Sequence, residues 1–129
     1  MNKKILIVDD EPNILILLEQ ALEKLEDWDV ELITATNGEE ALEAIKEEKP
    51  DLVFLDVMMP KMNGFEVCHT VKNILKIQNV YIIMLTAKGQ EFDKQRGNDA
   101  GADLYMTKPF RPKNVLEKSM EVLGLSSAE

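Results

Sequence analysis

The sequence predicts an α/β fold in which helices cover both faces of a five-stranded parallel sheet. Short apolar runs rich in Val, Ile and Leu, typical of strands buried on both faces, alternate with segments whose apolar residues recur at helical spacing. No repeat or low-complexity tract interrupts this alternation. With 129 residues, 45% of them hydrophobic, the chain is long enough for one compact domain and leaves no room for a second.

Each element is predicted from its own run of residues. The strands are the five apolar runs, at residues 4–8, 30–35, 51–55, 81–85 and, more weakly, 103–106. The helices have the helical apolar spacing, at residues 12–25, 39–48, 64–75, 92–100 and 112–123. Pro12 and Pro112 suit the first turn of a helix, where a missing N–H leaves no bond unmade. Because crossovers between parallel strands are right-handed, the carboxyl ends of all the strands should lie at one edge of the sheet.

The composition argues against several classes of partner. Fifteen Lys and Arg residues stand against 24 Asp and Glu residues, and the net charge of −9 has the wrong sign for gripping nucleic acid or an anionic membrane surface. Cys68 is the only cysteine, which excludes an internal disulfide and a cysteine-based zinc cluster. The first apolar run stops at Asp9, well before the length of a signal peptide or membrane span. These features predict a cytoplasmic protein that binds neither DNA nor membranes directly.

Polar residues, with one small alanine among them, follow four of the predicted strands at their common edge. They are Asp9 and Asp10 after the first strand, Asp56 after the third, Thr86-Ala87 after the fourth and Lys108 after the fifth. If the strand order is 2-1-3-4-5, strands one and three are neighbours, and Asp9, Asp10 and Asp56 converge. Taken singly, each has an ordinary explanation: Asp10 or Glu11 could cap the following helix, and Lys108 could be a loop residue.

A convergent cluster of acids favours a divalent cation and phosphoryl chemistry. Two like charges about 4 Å apart repel by roughly 4 kcal/mol at an effective dielectric constant near 20. A divalent cation would relieve this repulsion, and an all-oxygen site suits Mg²⁺ better than zinc. An Asp side chain can be the nucleophile that forms an aspartyl phosphate, and Asp56 is the best candidate because it stands alone at its strand end. Lys108 could neutralise the phosphoryl oxygens, and Thr86 could donate a hydrogen bond to one of them.

The segments "ILIVDDEP", "VFLDVMMPKMNGFE", "IIMLTA" and "GADLYMTKPF", in this order and at these spacings, resemble the receiver domain of bacterial two-component response regulators. The resemblance implies a flavodoxin-like, doubly wound (βα)5 domain of strand order 2-1-3-4-5 over residues 1–125, followed by a tail or the start of a linker at 126–129. It also implies a Mg²⁺-dependent phosphoacceptor rather than an enzyme. The phosphoryl group would come from a histidine kinase or histidine phosphotransfer protein. The resemblance leaves open whether the output partner is a downstream effector or a phosphorylation-dependent homodimer.

The resemblance assigns roles to the metal-site residues. Asp56 would be the phosphoacceptor and would also contact the metal. Asp10 would bind Mg²⁺ directly, and Asp9 would assist through water. Met58 would offer its backbone carbonyl, so its side chain need not be polar.

The resemblance likewise assigns the phosphoryl-binding and switch residues. Lys108 would pair with the phosphoryl group, beside Thr86 and Ala87, and the Lys108–Pro109 bond is expected to be cis. Thr86 and Tyr105 would form the switch pair, in which the hydroxyl moves toward the phosphoryl group and the ring turns inward. The output surface would consist of the fourth helix, fifth strand and fifth helix.

The first predicted helix carries a candidate docking patch. Most of its apolar residues form one stripe that belongs to the core, but Ile16 falls on the other side and Leu15 lies at the margin. Single exposed apolar residues are common, so a surface position without a role is the alternative. Because receivers offer this helix to the phosphodonor, the resemblance implies that Leu15 and Ile16 contact the kinase.

Two other functions fit part of the pattern. An aspartyl-phosphate phosphatase would use similar chemistry, but Val57 and Met58 follow Asp56 in place of the usual Asp-x-Asp motif. A receiver-like binding module that works without phosphorylation often lacks part of the acidic site, whereas this chain keeps all of it.

Overall fold

The computed structural model describes residues 2–59, 61–87 and 100–125. The strands there are β1 (Lys3–Val8), β2 (Val30–Ala35), β3 (Leu52–Asp56), β4 (Tyr81–Ala87) and β5 (Leu104–Lys108). The α-helices there are α1 (Pro12–Leu22), α2 (Gly38–Glu48), α3 (Gly64–His69) and a C-terminal helix (Pro112–Leu123). A 3₁₀ segment (Glu23–Trp28) continues α1, and a π-helical segment (Thr70–Ile74) continues α3. The predicted helix at 92–100 lies outside the described residues except for its last residue, and so does the predicted tail at 126–129.

The five strands form one parallel sheet in the order β2-β1-β3-β4-β5, which confirms the predicted fold and strand order. Side chains of β1 alternate between its faces: Leu6 and Val8 pack with α2 and α3, whereas Ile5 and Ile7 pack with α1 and the C-terminal helix. Every side chain of β3 is buried, as expected for a central strand covered on both sides. The two cores therefore hold the sheet, and with it the carboxyl ends of its strands, in a fixed position.

Polar side chains define where α2 and α3 begin. The Asn37 side chain accepts a 2.9 Å hydrogen bond from the N–H of Glu40 at the start of α2. At the start of α3, Asn63 and Glu66 form a reciprocal capping box with hydrogen bonds of 2.9 and 3.0 Å. The C-terminal helix ends at Gly124, whose φ of +72° lies in the left-handed region that favours glycine.

Two predicted helices differ in type from the observed ones. The helix predicted at 12–25 is α-helical only to Leu22 and continues as the 3₁₀ segment to Trp28. The helix predicted at 64–75 becomes π-helical after His69, where the N–H of Leu75 donates to the carbonyl of Thr70 at 2.8 Å. Apolar spacing over one or two turns does not distinguish these hydrogen-bonding patterns. In the part of the chain that the structure describes, no helix is long and apolar enough to cross a membrane.

Three strands extend further toward the carboxyl edge than the apolar runs predicted. β3 ends at Asp56, β4 at Ala87 and β5 at Lys108, so each includes the polar residues that were expected to follow it. The ladder hydrogen bonds continue past the last apolar side chain, because the backbone pairs whatever the side chain is. These polar residues are therefore held by the sheet itself rather than by loops.

Ser119 is a buried polar residue in the C-terminal helix. Its side chain is fully buried, and its hydroxyl oxygen has no hydrogen-bond partner among the described residues. A buried hydroxyl without a partner has lost its hydration without compensation, which destabilises the folded state.

We expect Ser119→Ala to raise the free energy of unfolding by about 1 kcal/mol, because it removes the unpaired hydroxyl and alanine is the better helix former. Urea unfolding followed by circular dichroism measures this change. Glu117→Ala, at an exposed position of the same helix, is the matched control for helix propensity alone. A Ser119→Ala variant no more stable than this control would contradict the expectation.

Candidate metal and phosphoryl site

Three strands bring ionisable side chains to the carboxyl edge of the sheet. Asp9 follows β1 directly, and its N–H donates to the carbonyl of Ala35 at 3.2 Å, which extends the β1–β2 ladder by one residue. Asp56 is the last residue of β3 and lies opposite Leu85 of β4. Lys108 is the last residue of β5. Because β1 and β3 are neighbours, the sheet holds Asp9 and Asp56 side by side.

Asp9, Asp10 and Asp56 come together as a carboxylate cluster. One carboxylate oxygen from each lies within 4.8 Å of the other two. Asp9 is fully buried and Asp56 is only 4% exposed, whereas Asp10 is exposed. The two buried carboxylates therefore repel each other in surroundings of low dielectric constant, while the charge of Asp10 is solvated.

Lys108 provides the positive charge of this cluster. Its Nζ lies 2.9 Å from Asp9 Oδ2, 3.2 Å from Asp56 Oδ1 and 3.7 Å from Glu11 Oε1. Among residues 2–59, 61–87 and 100–125, no other cation forms an ion pair with these acids. With Asp10 included, several carboxylates share one ammonium group, so the cluster retains an excess of negative charge when they are ionised.

Glu11 is a member of the site that the sequence did not identify. It follows Asp9 and Asp10 immediately, a position equally suited to a helix cap, so no separate signal marked it. The structure places it at the N-cap of α1, but its side chain makes no capping hydrogen bond. Its carboxylate lies instead near Lys108.

The environment of Asp56 opposes ionisation. Burial raises the pKa of its carboxyl group from 3.8 to about 7, and the neighbouring charge of Asp9 adds to this effect. Lys108 and the N–H of Met58, which donates to Asp56 Oδ1 at 3.4 Å, act in the opposite direction. Burial alone would lower the pKa of Lys108, but the carboxylates of Asp9 and Asp56 outweigh it and raise that pKa.

The cluster opens into a cavity of about 460 Å³. The cavity is lined by Asp10, Glu11, Asp56, Val57, Met58, Leu85 and Lys108. Asp9 Oδ2 is buried beside it and accepts no hydrogen bond from the described residues, although it is close to Lys108. Two buried carboxylates that share one lysine, surplus negative charge and oxygen-only ligands suit a hard divalent cation that keeps several waters. The residues present therefore fit Mg²⁺.

Of the predicted residues on β4 and β5, Lys108 lines the cavity and the others do not. Thr86 is buried next to Leu85 of the cavity wall. Ala87 pairs with Lys108 in the β4–β5 register. Tyr105 is partly buried and packs against the core cluster on the α2–α3 face of the sheet, away from the cavity lining. As expected, the bond that follows Lys108 is a cis peptide to proline.

The loop after β3 depends on a glycine for which the sequence pattern predicts no role. A Cβ atom at Gly64, the first residue of α3, would lie 2.4 Å from the carbonyl oxygen of Asp56. The N–H of Gly64 donates to the carbonyl of Val57 at 2.9 Å, which closes the loop onto the strand. Because glycine has no Cβ atom, the first residue of α3 can contact the backbone of Asp56. The only signal in the sequence is a glycine immediately after a capping Asn63.

The two residues of the candidate docking patch have different surroundings. Leu15 is partly buried and packs against the core beneath α1. Ile16 is 50% exposed, which is high for a large apolar side chain. Of the pair, Ile16 presents the accessible apolar surface.

A family model described as the response regulator receiver domain matches residues 5–119 of the chain. The chain is also 52% identical over 127 residues to the alkaline phosphatase synthesis transcriptional regulatory protein PhoP of Bacillus subtilis (strain 168). This match covers 98% of the chain and 50% of PhoP, so the chain spans about half the length of this relative.

Solved structures agree with the family match. The chain is similar to the BeF3-activated receiver domain of DrrB from Thermotoga maritima, with a TM-score of 0.83 and 35% identity, over 96% of this chain and 99% of that one. It is also similar to the chemotaxis response regulator CheY4 of Vibrio cholerae, with a TM-score of 0.81 and 33% identity, over 95% of this chain and 99% of that one. The family match spans most of the chain and includes every member of the carboxylate cluster, and we conclude that the chain belongs to the response regulator receiver domain family.

Proposed function

We propose that this receiver domain accepts a phosphoryl group on Asp56 from a phosphohistidine of a histidine kinase or histidine phosphotransfer protein. The proposal rests on one arrangement, the cluster of Asp9, Asp10 and Asp56 with Lys108 beside it and a cavity in front of it. A cluster of this kind suits phosphoryl transfer, where positioning and charge neutralisation provide most of the catalysis.

Transfer forms one bond to phosphorus and breaks another. An oxygen of ionised Asp56 attacks phosphorus, and the P–N bond to the donor histidine breaks as the P–O bond forms. Lys108, 3.2 Å from Asp56, stabilises the ionised carboxylate and then the phosphoryl oxygens. Thr86, buried at the adjacent strand end, donates a hydrogen bond to one of these oxygens. Ala87, a small residue, follows it in the sequence. Bound Mg²⁺ supplies further positive charge to the phosphoryl group.

The proposed metal ligands come from two strand ends and one loop. Asp10, the exposed member of the cluster, would bind Mg²⁺ directly, and Asp9 would assist through water. Asp56 and the backbone carbonyl of Met58 would be the other protein ligands. Because the Met58 side chain is 65% exposed and plays no part in binding, an apolar residue is accepted there.

The signal leaves the site through a switch in our proposal. Thr86 moves toward the phosphoryl group, and Tyr105 turns into the space vacated. The output surface consists of β5, the C-terminal helix and the predicted helix at 92–100, most of which lies outside the described residues. A downstream effector or a second phosphorylated copy binds this surface, in the cytoplasm and without direct contact to nucleic acid.

The rival functions are less well supported. The complete acid cluster with Lys108 favours phosphorylation over a binding module that works without it. Val57 and Met58 follow Asp56, so the second carboxylate of an Asp-x-Asp phosphatase motif is absent from the sequence.

With acetyl phosphate as a small-molecule donor, we expect Mg²⁺-dependent addition of one phosphoryl group to the protein. Intact-mass spectrometry of wild type, Asp56→Ala and the surface control Glu19→Gln, each with Mg²⁺ or with EDTA, measures it. Modification of wild type and Glu19→Gln in Mg²⁺ alone is the expected result. An unmodified wild type that is folded and loaded with Mg²⁺, or a modified Asp56→Ala, would contradict the proposal.

The burial of Asp56, reinforced by the charge of Asp9, predicts a pH-dependent effect of Asp56→Asn in metal-free protein. The pKa of Asp56 is about 7 in the folded protein and lower in the unfolded chain, so the folded state binds this proton more tightly between about pH 4 and 7. The stabilising contribution is therefore present at low pH and is lost as the pH rises through 7. We expect Asp56→Asn to raise the free energy of unfolding by about 1–2 kcal/mol at pH 8 and by less at pH 4.5.

Urea unfolding in EDTA at the two pH values tests this effect, with Glu19→Gln as the control for the loss of an exposed charge. Equal stabilisation by Asp56→Asn at both pH values would show that Asp56 is ionised at both or neutral at both.

The docking patch predicts a selective defect. We expect Ile16→Asp to slow transfer from a phosphorylated histidine kinase or phosphotransfer protein by about tenfold or more, because it places a charge in an apolar contact. Phosphorylation by acetyl phosphate should be unchanged. Gln78→Asp adds the same charge at an exposed position before β4 and serves as the control. Equal loss with both donors would rule out a docking role for Ile16.

A further inference from the structure

Gly38, the first residue of α2, makes an unusually close contact with the loop that follows β3. A Cβ atom at this position would lie 1.8 Å from the carbonyl oxygen of Met62 and 2.6 Å from its carbonyl carbon. The described residues with left-handed backbone do not include Gly38. Glycine is therefore required here for space and not for its backbone freedom.

The start of α2 is held firmly from the side of β2. The N–H and Oγ1 of Thr36 donate to Glu40 Oε1 at 2.9 and 3.0 Å, and the N–H of Glu40 donates to Asn37 Oδ1 at 2.9 Å. β2 is in turn paired along its full length with β1. Gly38 thus belongs to a rigid turn that cannot readily move away from Met62.

The loop on the other side of this contact carries the proposed carbonyl ligand. It spans residues 57–63, of which residue 60 lies outside the described residues. Its two ends are joined by the hydrogen bond from Gly64 to Val57, and Met58 donates to the Asp56 side chain. Between these anchors, Lys61 turns the chain with a φ of +70°, and Met62 then rests on Gly38.

We propose that Gly38 is a positioning residue for the magnesium site, an inference that rests on the proposed function. Because Gly38 has no side chain, α2 can approach the loop closely. This approach holds the loop in the position from which the Met58 carbonyl reaches the metal beside Asp56. An added Cβ would force Met62 and α2 apart by about an ångström or more. Mg²⁺ demands nearly ideal octahedral geometry, so a displacement of that size weakens its binding.

The test is the affinity of the full chain for Mg²⁺, measured by isothermal titration calorimetry without other divalent cations. We expect Gly38→Ala to raise the Kd for Mg²⁺ by about tenfold or more, as changes that disturb supporting residues of metal sites do. Glu39→Ala is the matched control, because it lies in the same helical turn and removes only the exposed 3.8 Å ion pair with Lys61. Its Kd should stay within about twofold of wild type.

A second variant distinguishes the backbone contact from side-chain packing. The atoms nearest the added Cβ include the Met62 carbonyl, which no substitution at Met62 removes. The double variant Gly38→Ala with Met62→Ala should therefore bind Mg²⁺ as weakly as Gly38→Ala alone. Recovery of wild-type affinity in the double variant would overturn the proposed backbone contact.

Thermal unfolding in EDTA separates positioning from stability. A lower Tm with an unchanged Kd for Mg²⁺ would overturn the inference while leaving the proposed function intact. A wild type that binds no Mg²⁺ would overturn both. Should Gly38→Ala not fold, Asn37→Ala loosens the same turn without adding an atom, and an unchanged Kd in that variant would likewise overturn the inference.

Discussion

The repulsion between the buried carboxylates of Asp9 and Asp56 is the constraint on which the rest of this structure depends. Neighbouring parallel strands end at the same edge and hold the two acids together, and Lys108 only partly compensates their charge. Burial, and after it the neighbouring charge of Asp9, raises the pKa of Asp56 to about 7, so ionisation of this carboxyl group is unfavourable in these surroundings. An arrangement that opposes folding in this way is expected at a functional site and is otherwise difficult to explain.

The two cores that enclose the sheet stabilise the fold against this repulsion. All the side chains of β3 are buried, and β1 contributes to the core on both faces, so the strands that carry the acids are packed from both sides of the sheet. Backbone pairing extends to Asp56 itself, opposite Leu85. The repulsion therefore cannot be relieved by a small movement of a loop. It can be relieved by protonation or by a bound cation, and the proposed function uses the cation.

Much of the fold could be predicted from the sequence, because the fold depends on the order and the spacing of apolar residues. Alternating apolar runs gave the strands, and the handedness of crossovers gave the common edge. The strand order that makes the strands of Asp9 and Asp56 neighbours came from the resemblance to receiver domains, and the cluster depended on that order. The contact of Gly38 with Met62 could not be predicted, because it depends on a distance between two segments that no local pattern encodes. The same holds for the unpaired hydroxyl of Ser119, and for the 3₁₀ and π-helical segments, whose apolar spacing resembles that of an α-helix.

In the proposed mechanism, charge balance and signal output share one strand, β5. A phosphoryl group on Asp56 would bring more negative charge to a place where Lys108 is already divided among Asp9, Asp56 and Glu11. Lys108 must then give up part of its contact with the other acids. Since it is the last residue of β5, this change acts on the same strand that carries Tyr105, which packs against the core and pairs with β4 at Met84. In the proposed mechanism β5 therefore gives a direct route from the site to the output surface, in addition to the movement of Thr86 on β4.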